Sequence, residues 1–218
     1  MYLRGLAFTI PQMFTRRARL FEFAGHRYKY FSHRYNATWM NERISELPVA
    51  LRALREAGAG NVLEVGNVLS HYENDIRHDI VVRYESGDAR VLNVDARVFK
   101  PSTQYDLILS ISTLEHVGWD ESPRDENKAW ETILHLSSLL APDGRFVFTV
   151  PAGYHPNLNR SILANAHRLG PLRALRRVSI GNAWQECSPE VAAQCEFGKP
   201  YPFANAVFVG SVGSGTFA

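Results

Sequence analysis

The stretch "NVLEVGNVLSHY", Asn61 to Tyr72, begins as a buried β-strand over 62–65 and then turns at Gly66. A loop that holds a pyrophosphate needs two further glycines in a G-x-G-x-x-G pattern, so that its backbone can approach the phosphates. Here residues 67–70 are Asn, Val, Leu and Ser. The stretch therefore predicts a nucleotide-type strand and turn, while the missing glycines argue against a dinucleotide.

Short apolar runs alternate with helical segments after this strand. We predict further strands at 79–84, 90–94, 105–112 and 145–151, a helix over 126–140, and a closing antiparallel pair at 177–182 and 204–212. The run "YDLILSIS" at 105–112 is apolar on both faces, as a strand inside a parallel sheet must be. The alternation predicts an α/β fold, a Rossmann-like, doubly wound and mostly parallel sheet with an antiparallel last strand.

The chain of 218 residues is long enough for one well-buried domain. Residues 1–40 are rich in aromatic and basic side chains, a density that favours a packed extension over a platform for stacking bases. We therefore divide the chain into an N-terminal lid or extension, 1–45, and a ligand-binding domain, 46–218.

Composition limits the partners of the protein. The net charge of +2 is too small to indicate nucleic acid, but residues 1–55 carry +7 and the remainder −5. This basic N-terminal segment is interpreted either as a solvated face or as a surface for an anionic substrate or membrane. No apolar run approaches the ~20 residues of a membrane span, and the N-terminus lacks the features of a signal peptide, so we expect a cytoplasmic protein.

Acidic residues recur near the ends of successive predicted strands. Glu85 lies 21 residues after Glu64, about where an acid that binds ribose follows the first strand of a dinucleotide fold. Asp95 follows at a position where a carboxylate can accept a hydrogen bond from an adenine amino group. Asp106 stands at the start of its strand and is interpreted as structural.

These motifs resemble those of the class I S-adenosylmethionine-dependent methyltransferases. The resemblance is carried by "VLEVGN" (62–67), "LNVDA" (92–96), "YDLILSISTLEHVG" (105–118) and "LLAPDGRFVFTVP" (139–151), of which the last two are the most specific. The segment "YNATWMNERISELPVAL" (35–51) is similar to the lead-in of a small bacterial and archaeal subgroup that is associated with surface glycans or secondary metabolites.

The resemblance implies S-adenosylmethionine as the cofactor, which has no pyrophosphate and so needs no row of free loop amides. It implies that Glu64 organises the loop and attracts the methionine ammonium. Gly66, followed by Asn67, would let the backbone pass close to the ligand. Asp95 and Ala96 would contact the adenine.

The resemblance also implies residues for the other parts of the cofactor. Glu85 would bind the ribose hydroxyls, with Asp79 as a rival. Ser110 and Ser112 would line the methionine end. Arg43 would either pair with the cofactor carboxylate or form a surface ion pair.

The acceptor side is predicted to lie beyond the fourth strand, at His116 and Glu115. A histidine titrates near neutrality, so His116 suits proton removal from an acceptor; the alternative interpretation is a residue that only caps the strand. His71 and His155 are further candidates for the base.

The sequence thus predicts a methyltransferase that transfers a methyl group to oxygen, or to nitrogen as the alternative, of a small molecule such as a sugar or a natural-product intermediate. We predict no required metal, because Asp120, Glu121 and Asn157 match no ligand pattern. A catalytically silent scaffold and a nicotinamide-dependent reductase remain as rival functions. The oligomeric state is left open, with a homodimer as one option.

Overall fold

The structure is a computed structural model that describes residues 19–58, 60–85 and 90–214. Within these ranges the chain forms ten strands and four α-helices. The strands are β1 (Leu20–Phe23), β2 (His26–Lys29), β3 (Val62–Val65), β4 (Asp79–Val81), β5 (Val91–Leu92), β6 (Tyr105–Ile111), β7 (Leu140–Pro151), β8 (Arg173–Arg177), β9 (Trp184–Cys187) and β10 (Ala206–Gly213). The helices are α1 (Arg43–Ala57), α2 (Lys128–Ser137), α3 (Pro156–Ala164) and α4 (Pro189–Ala193).

Eight of these strands form one sheet in the order β5-β4-β3-β6-β7-β10-β8-β9. The strands from β5 to β7 are parallel, whereas β10 is antiparallel to both β7 and β8. The chain runs outward from β3 to β5 and then returns to the other side of β3 at β6. Ligands bind at such a switch point, outside the carboxyl ends of the strands. The predicted α/β, doubly wound fold with an antiparallel last strand is confirmed.

Helices cover both faces of the sheet because its central strands are apolar on both sides. Phe146 and Phe148 face the cluster that contains α2 and α3 residues, whereas Val147 between them faces the cluster that contains α1 residues. All three side chains are at most 2% exposed. Burying one side chain of this size contributes about 1.5–3 kcal/mol, so these layers hold the strand ends in fixed positions.

The described part of the N-terminal extension is integrated into the sheet layer rather than detached from it. The β1–β2 hairpin places Phe21 and Tyr28 in a core cluster with Trp184 of β9. The Tyr30 hydroxyl accepts a hydrogen bond from the Trp184 backbone N–H at 2.7 Å. Helix α1 begins at Arg43, so the proposed boundary after residue 45 lies inside a helix. The first 18 residues of the predicted lid lie outside the described residues.

The closing strands differ from the prediction. The strand expected at 177–182 lies upstream, at Arg173–Arg177, and residues after it form a turn in which Asn182 has a φ of 56°. The arginines of β8 suggested a solvated segment, but Ala174 and Leu175 between them are fully buried. Strand β9 was not predicted. Strands β4 and β5 are also shorter than the predicted 79–84 and 90–94.

Within the described residues, every helix is too short or too polar to cross a membrane.

Candidate active site

A crevice of about 270 Å³ opens at the carboxyl ends of β3, β4 and β5 and the exit of β6. Its apolar walls include five valines, and its polar contributors come from the segments that follow these strands. The lining residues that concern the site are Gly66, Val82, Arg83, Asp95, Ala96, Thr113, His116 and Val117. An apolar slot with a few polar groups at its edges is a typical small-molecule site.

Gly66 forms the turn at the switch point. Its φ is 92°, and a Cβ at this position would lie 2.2 Å from Thr113 Oγ1 on the neighbouring strand exit. Its N–H donates to the Val81 carbonyl oxygen at 3.0 Å. Any other residue would strain both the backbone and this contact, because left-handed φ favours glycine.

Hydrogen bonds to Glu64 explain why the loop after β3 needs no glycine beyond Gly66. Its Oε1 accepts the N–H groups of Val68 and Leu69 at 2.7 and 2.8 Å, and its Oε2 lies 2.8 Å from His78 Nε2. Loop amides that a phosphate would need are thus satisfied internally. The fully buried Glu64 does not line the crevice, so nothing in the geometry supports a direct contact with a ligand ammonium.

The residues predicted to bind the ribose do not line the crevice. Asn67 Nδ2 donates to Glu85 Oε1 at 2.6 Å, so these two predicted residues are brought together. Neither lines the crevice, where Val82 stands at the end of β4 together with Arg83. Asp79, the rival, accepts the Tyr105 hydroxyl at 2.8 Å at the opposite end of β4. The ribose role of Glu85 therefore stays a prediction.

Asp95 and Ala96 border the crevice at the predicted adenine end. Asp95 Oδ2 lies 2.6 Å from Lys128 Nζ and 3.2 Å from Arg83 Nη1, and Lys128 also binds Glu121 at 2.7 Å. Partial burial acts to raise the pKa of Asp95, but Lys128, the Arg97 N–H and Arg83 outweigh it and lower that pKa. The same balance, again with Lys128 as the main partner, lowers the pKa of Glu121.

We expect Lys128→Met to lower the free energy of unfolding by about 3 kcal/mol at pH 7, because Asp95 and Glu121 lose their buried shared cation and keep only the more exposed guanidinium of Arg83. The pKa values of Asp95 and Glu121 are lowered in the folded state, so their contribution exists above about pH 4 and is lost as the pH falls through the folded values. Urea denaturation at pH 7, 5 and 3.5 should show a smaller loss on acidification for the variant.

The matched control is Lys199→Met, which removes an exposed ion pair with Glu196 at 3.0 Å. Its effect should stay within about 0.5 kcal/mol at every pH. Equal effects of the two substitutions would show that the Lys128 network does not stabilise this edge of the crevice.

A second cavity of about 180 Å³ adjoins the crevice, and His116 lines both. Arg43, Ser112 and Glu115 line this second cavity, as does Tyr154. Ser110 does not: its hydroxyl is fully buried and donates to the Val65 carbonyl at 3.2 Å.

Arg43 is neither a surface ion pair nor a free anion receptor. Its Nη1 binds Glu46 Oε2 at 3.1 Å and the Ile111 carbonyl at 2.7 Å, and its Nη2 binds the Ser112 carbonyl at 3.3 Å. The Ser112 hydroxyl donates to Glu46 Oε1 at 2.5 Å. Arg43 therefore fixes the exit of β6, and its role toward a cofactor carboxylate stays a prediction.

His116 is oriented by a carboxylate. Its Nδ1 lies 2.5 Å from Asp120 Oδ2, which also accepts the Tyr154 hydroxyl at 2.8 Å. The pKa of Asp120 is lowered, because hydrogen bonds from His116 and Tyr154 outweigh the opposing effect of partial burial. Burial and the Asp120 hydrogen bond raise the pKa of Tyr154 to about 12. A Nδ1–H held by Asp120 leaves the Nε2 lone pair of His116 available as a base.

The other candidate histidines have structural contacts. His155 caps α3, since its Nδ1 accepts the Leu158 N–H at 3.2 Å, and its ring stacks on Trp119. Burial lowers the pKa of His155. His71 stacks on Tyr35 with ring centroids 4.3 Å apart.

The described residues include no group of three or more His, Cys, Asp or Glu side chains that could hold a metal ion. The three oxygen ligands considered from the sequence are engaged separately. Asp120 binds His116, Glu121 binds Lys128, and Asn157 binds Glu126. The expectation that no metal is required stays a prediction.

The strand order of the sheet reverses after β3, at Gly66, and the antiparallel strand β10 lies between β7 and β8. An acidic residue, Asp95, follows β5, the third parallel strand along the chain. The protein has a class I methyltransferase fold. No protein-family model matches the chain, and no curated protein matches it.

Several solved methyltransferases are similar in structure. The N-methyltransferase NodS from Bradyrhizobium japonicum WM9, in complex with S-adenosyl-L-homocysteine, has 14% identity and a TM-score of 0.48, over 93% of this chain and 96% of its own. A possible histamine N-methyltransferase from Thermotoga maritima has 10% identity and a TM-score of 0.46, over 78% and 89%. The CcbJ methyltransferase from Streptomyces caelestis has 12% identity and a TM-score of 0.42, over 77% and 88%.

Sequence reasoning missed several residues that shape the site of this methyltransferase fold. Asp120 was considered only as a metal ligand; it follows His116 by four residues, and this spacing of a histidine and a carboxylate could have indicated its role as the partner of His116. Tyr154 lies in "PAGYHPN", directly after β7, where the side chains of a switch-point crevice are expected. Lys128 and Thr113 gave no local signal, because their partners are distant in sequence.

Proposed function

We propose that the protein is an S-adenosylmethionine-dependent methyltransferase that acts on a small molecule, with His116 as its general base. The observation that supports this proposal is the position of His116 on the wall shared by the two cavities, with its Nδ1 held by Asp120. A donor in one cavity and an acceptor in the other would meet at this side chain.

The crevice residues fit the adenosyl part of the cofactor. Asp95 and Ala96 border the slot for an adenine edge, the apolar walls suit its faces, and Gly66 lets the backbone approach without a side chain. S-adenosylmethionine, when bound, supplies an electrophilic methyl group on a sulfonium. The fit at the ribose is weaker, since neither Glu85 nor Asp79 lines the crevice, whereas Val82 does.

The protein's own contribution is positioning and proton removal. The acceptor lies in the second cavity, within reach of His116 Nε2, which takes its proton while Asp120 stabilises the imidazolium that forms. Tyr154 keeps Asp120 in place, so the ring orientation is fixed before the acceptor arrives. The sequence favoured an oxygen acceptor; this arrangement serves an oxygen or a nitrogen nucleophile.

Calorimetry with S-adenosyl-L-homocysteine tests the cofactor assignment. We expect binding at micromolar concentrations and no heat of binding with NADH, because Glu64 occupies loop amides that a dinucleotide would use. Transfer of tritiated methyl groups into a metabolite extract then tests turnover without a prior choice of acceptor. Absence of S-adenosyl-L-homocysteine binding at high micromolar concentration would reject the proposal.

The second candidate is a catalytically silent relative that binds a partner, which the absence of the predicted ribose residues Glu85 and Asp79 from the lining of the crevice favours. Such a scaffold would retain the crevice without turnover. Detection of transferred tritium in the extract would exclude it.

A further inference from the structure

The second cavity contains a carboxylate that the proposed base does not use. Glu115 is 2% exposed and lines this cavity, and within the described residues its Oε2 has no hydrogen-bond partner. Its other oxygen lies 3.6 Å from His116 Nε2, which is too long for a hydrogen bond. A buried and unsatisfied carboxylate oxygen costs free energy unless a ligand satisfies it.

The surroundings of Glu115 are rich in negative charge. Glu42 lines the same cavity and Glu46 lies behind it, whereas Arg43 is the one guanidinium among the described residues that line the cavity. Burial raises the pKa of Glu115 well above its usual range, and the charges of Glu46 and Glu42 act in the same direction against Arg43. Burial and these neighbouring charges thus favour Glu115 as the neutral acid, and a cation placed in the cavity would favour the carboxylate.

The geometry restricts the methyl acceptor to groups that carry enough hydrogen-bond donors. A group between Glu115 Oε1 and His116 Nε2, which are 3.6 Å apart, must donate a hydrogen bond to the carboxylate and also a proton to the imidazole. An alcohol has one O–H donor and can serve only one of them, whereas a primary ammonium has three N–H donors and a secondary ammonium has two. Resting on the proposed methyl transfer, we propose that the acceptor is a primary or secondary amine, bound as its ammonium by Glu115.

The remaining walls indicate an apolar body beside the amine. Phe197 and Phe203 line the cavity, and Phe197 meets the Tyr154 ring edge to face at 5.0 Å between centroids. Aromatic walls around a carboxylate suit a cation that carries a hydrophobic substituent, because they add apolar contact area and a favourable ring quadrupole.

The atoms and charges of the proposed methyl transfer to the amine balance. The ammonium gives one proton to His116 Nε2 and keeps an N–H on Glu115. The nitrogen lone pair forms the N–C bond as the methyl–sulfur bond of the bound donor breaks, so sulfur leaves as a neutral thioether and its positive charge passes to nitrogen. The Glu115 carboxylate stabilises the charge that develops on that nitrogen.

Phenethylamine and 2-phenylethanol are a matched pair of probes, since they differ only in the amine and the hydroxyl. We expect the protein saturated with S-adenosyl-L-homocysteine to bind the amine at least about tenfold more tightly, as a hydrogen bond to a charged group implies. The amine should also accept more tritiated methyl from S-adenosylmethionine. Glu115→Gln should abolish the preference, while Glu190→Gln, an exposed carboxylate on α4, should retain it.

The affinity for S-adenosyl-L-homocysteine distinguishes a failure of the amine assignment from a failure of the proposed methyltransferase function. It should be the same in wild type and in Glu115→Gln. A fall in the variant would place Glu115 against the cofactor and overturn the amine assignment, as would equal binding of the two probes or binding of neither at millimolar concentration. Failure of the wild type to bind S-adenosyl-L-homocysteine would instead reject the methyltransferase itself.

Discussion

Replacement of His116 by alanine is expected to lower the turnover number by about 10²- to 10⁴-fold, the usual contribution of a positioned general base. The physical reason is that His116 Nε2 is the basic atom on the wall common to both cavities, with Nδ1 held by Asp120 at 2.5 Å. The measurement is the rate of tritiated methyl transfer with saturating S-adenosylmethionine, using the extract fraction that accepts the label from the wild type.

The affinity for S-adenosyl-L-homocysteine should change little in His116→Ala, because the ring is half exposed and stands at the edge of the crevice. His167→Ala is the matched control, since this histidine lies in the 3₁₀ segment Ala166–Arg168, away from both cavities. Full turnover in His116→Ala would exclude the assigned base. An equal loss in the control would indicate a general effect on the fold.

Replacement of Gly66 by valine is expected to weaken S-adenosyl-L-homocysteine binding by about 100-fold or more. A side chain at this position meets Thr113 Oγ1 at 2.2 Å and Thr113 Cγ2 at 2.7 Å, so either the turn or the exit of β6 must move. Both segments border the crevice, and overpacking of this kind costs about 1–3 kcal/mol before any contact with the ligand is lost. Isothermal calorimetry measures the affinity.

Gly25→Val provides the control for the backbone effect alone. Gly25 also has a left-handed φ, 77°, but a Cβ there would meet nothing within 4 Å. Both variants should lose some thermal stability from the unfavourable φ, while only Gly66→Val should lose the ligand. Normal affinity in a folded Gly66→Val protein would show that the ligand does not lie against this turn.

The sequence by itself determined that the central strands form a parallel, doubly wound sheet and that a crevice lies at their carboxyl ends. Strands at the centre of a doubly wound sheet are buried on both faces, so β3 and β6 are mainly apolar, with Glu64, Asp106 and Ser110 as the polar exceptions. Gly66 and Asp95 were also found from the sequence, since a turn and an acid directly after a strand occupy the ligand edge of such a sheet.

The tertiary structure alone decided which polar groups meet. Glu64 contacts His78, and Asp95 forms an ion pair with Lys128. Glu115, next to His116, keeps one carboxylate oxygen without a hydrogen-bond partner among the described residues. Strand β8 is a further example: its sequence is rich in arginine, and its burial depends on its pairing with β10. Periodicity records which face of an element is buried, but hydrogen bonds and ion pairs form between segments tens of residues apart. Their partners depend on how the helices and strands pack, and no local pattern encodes that.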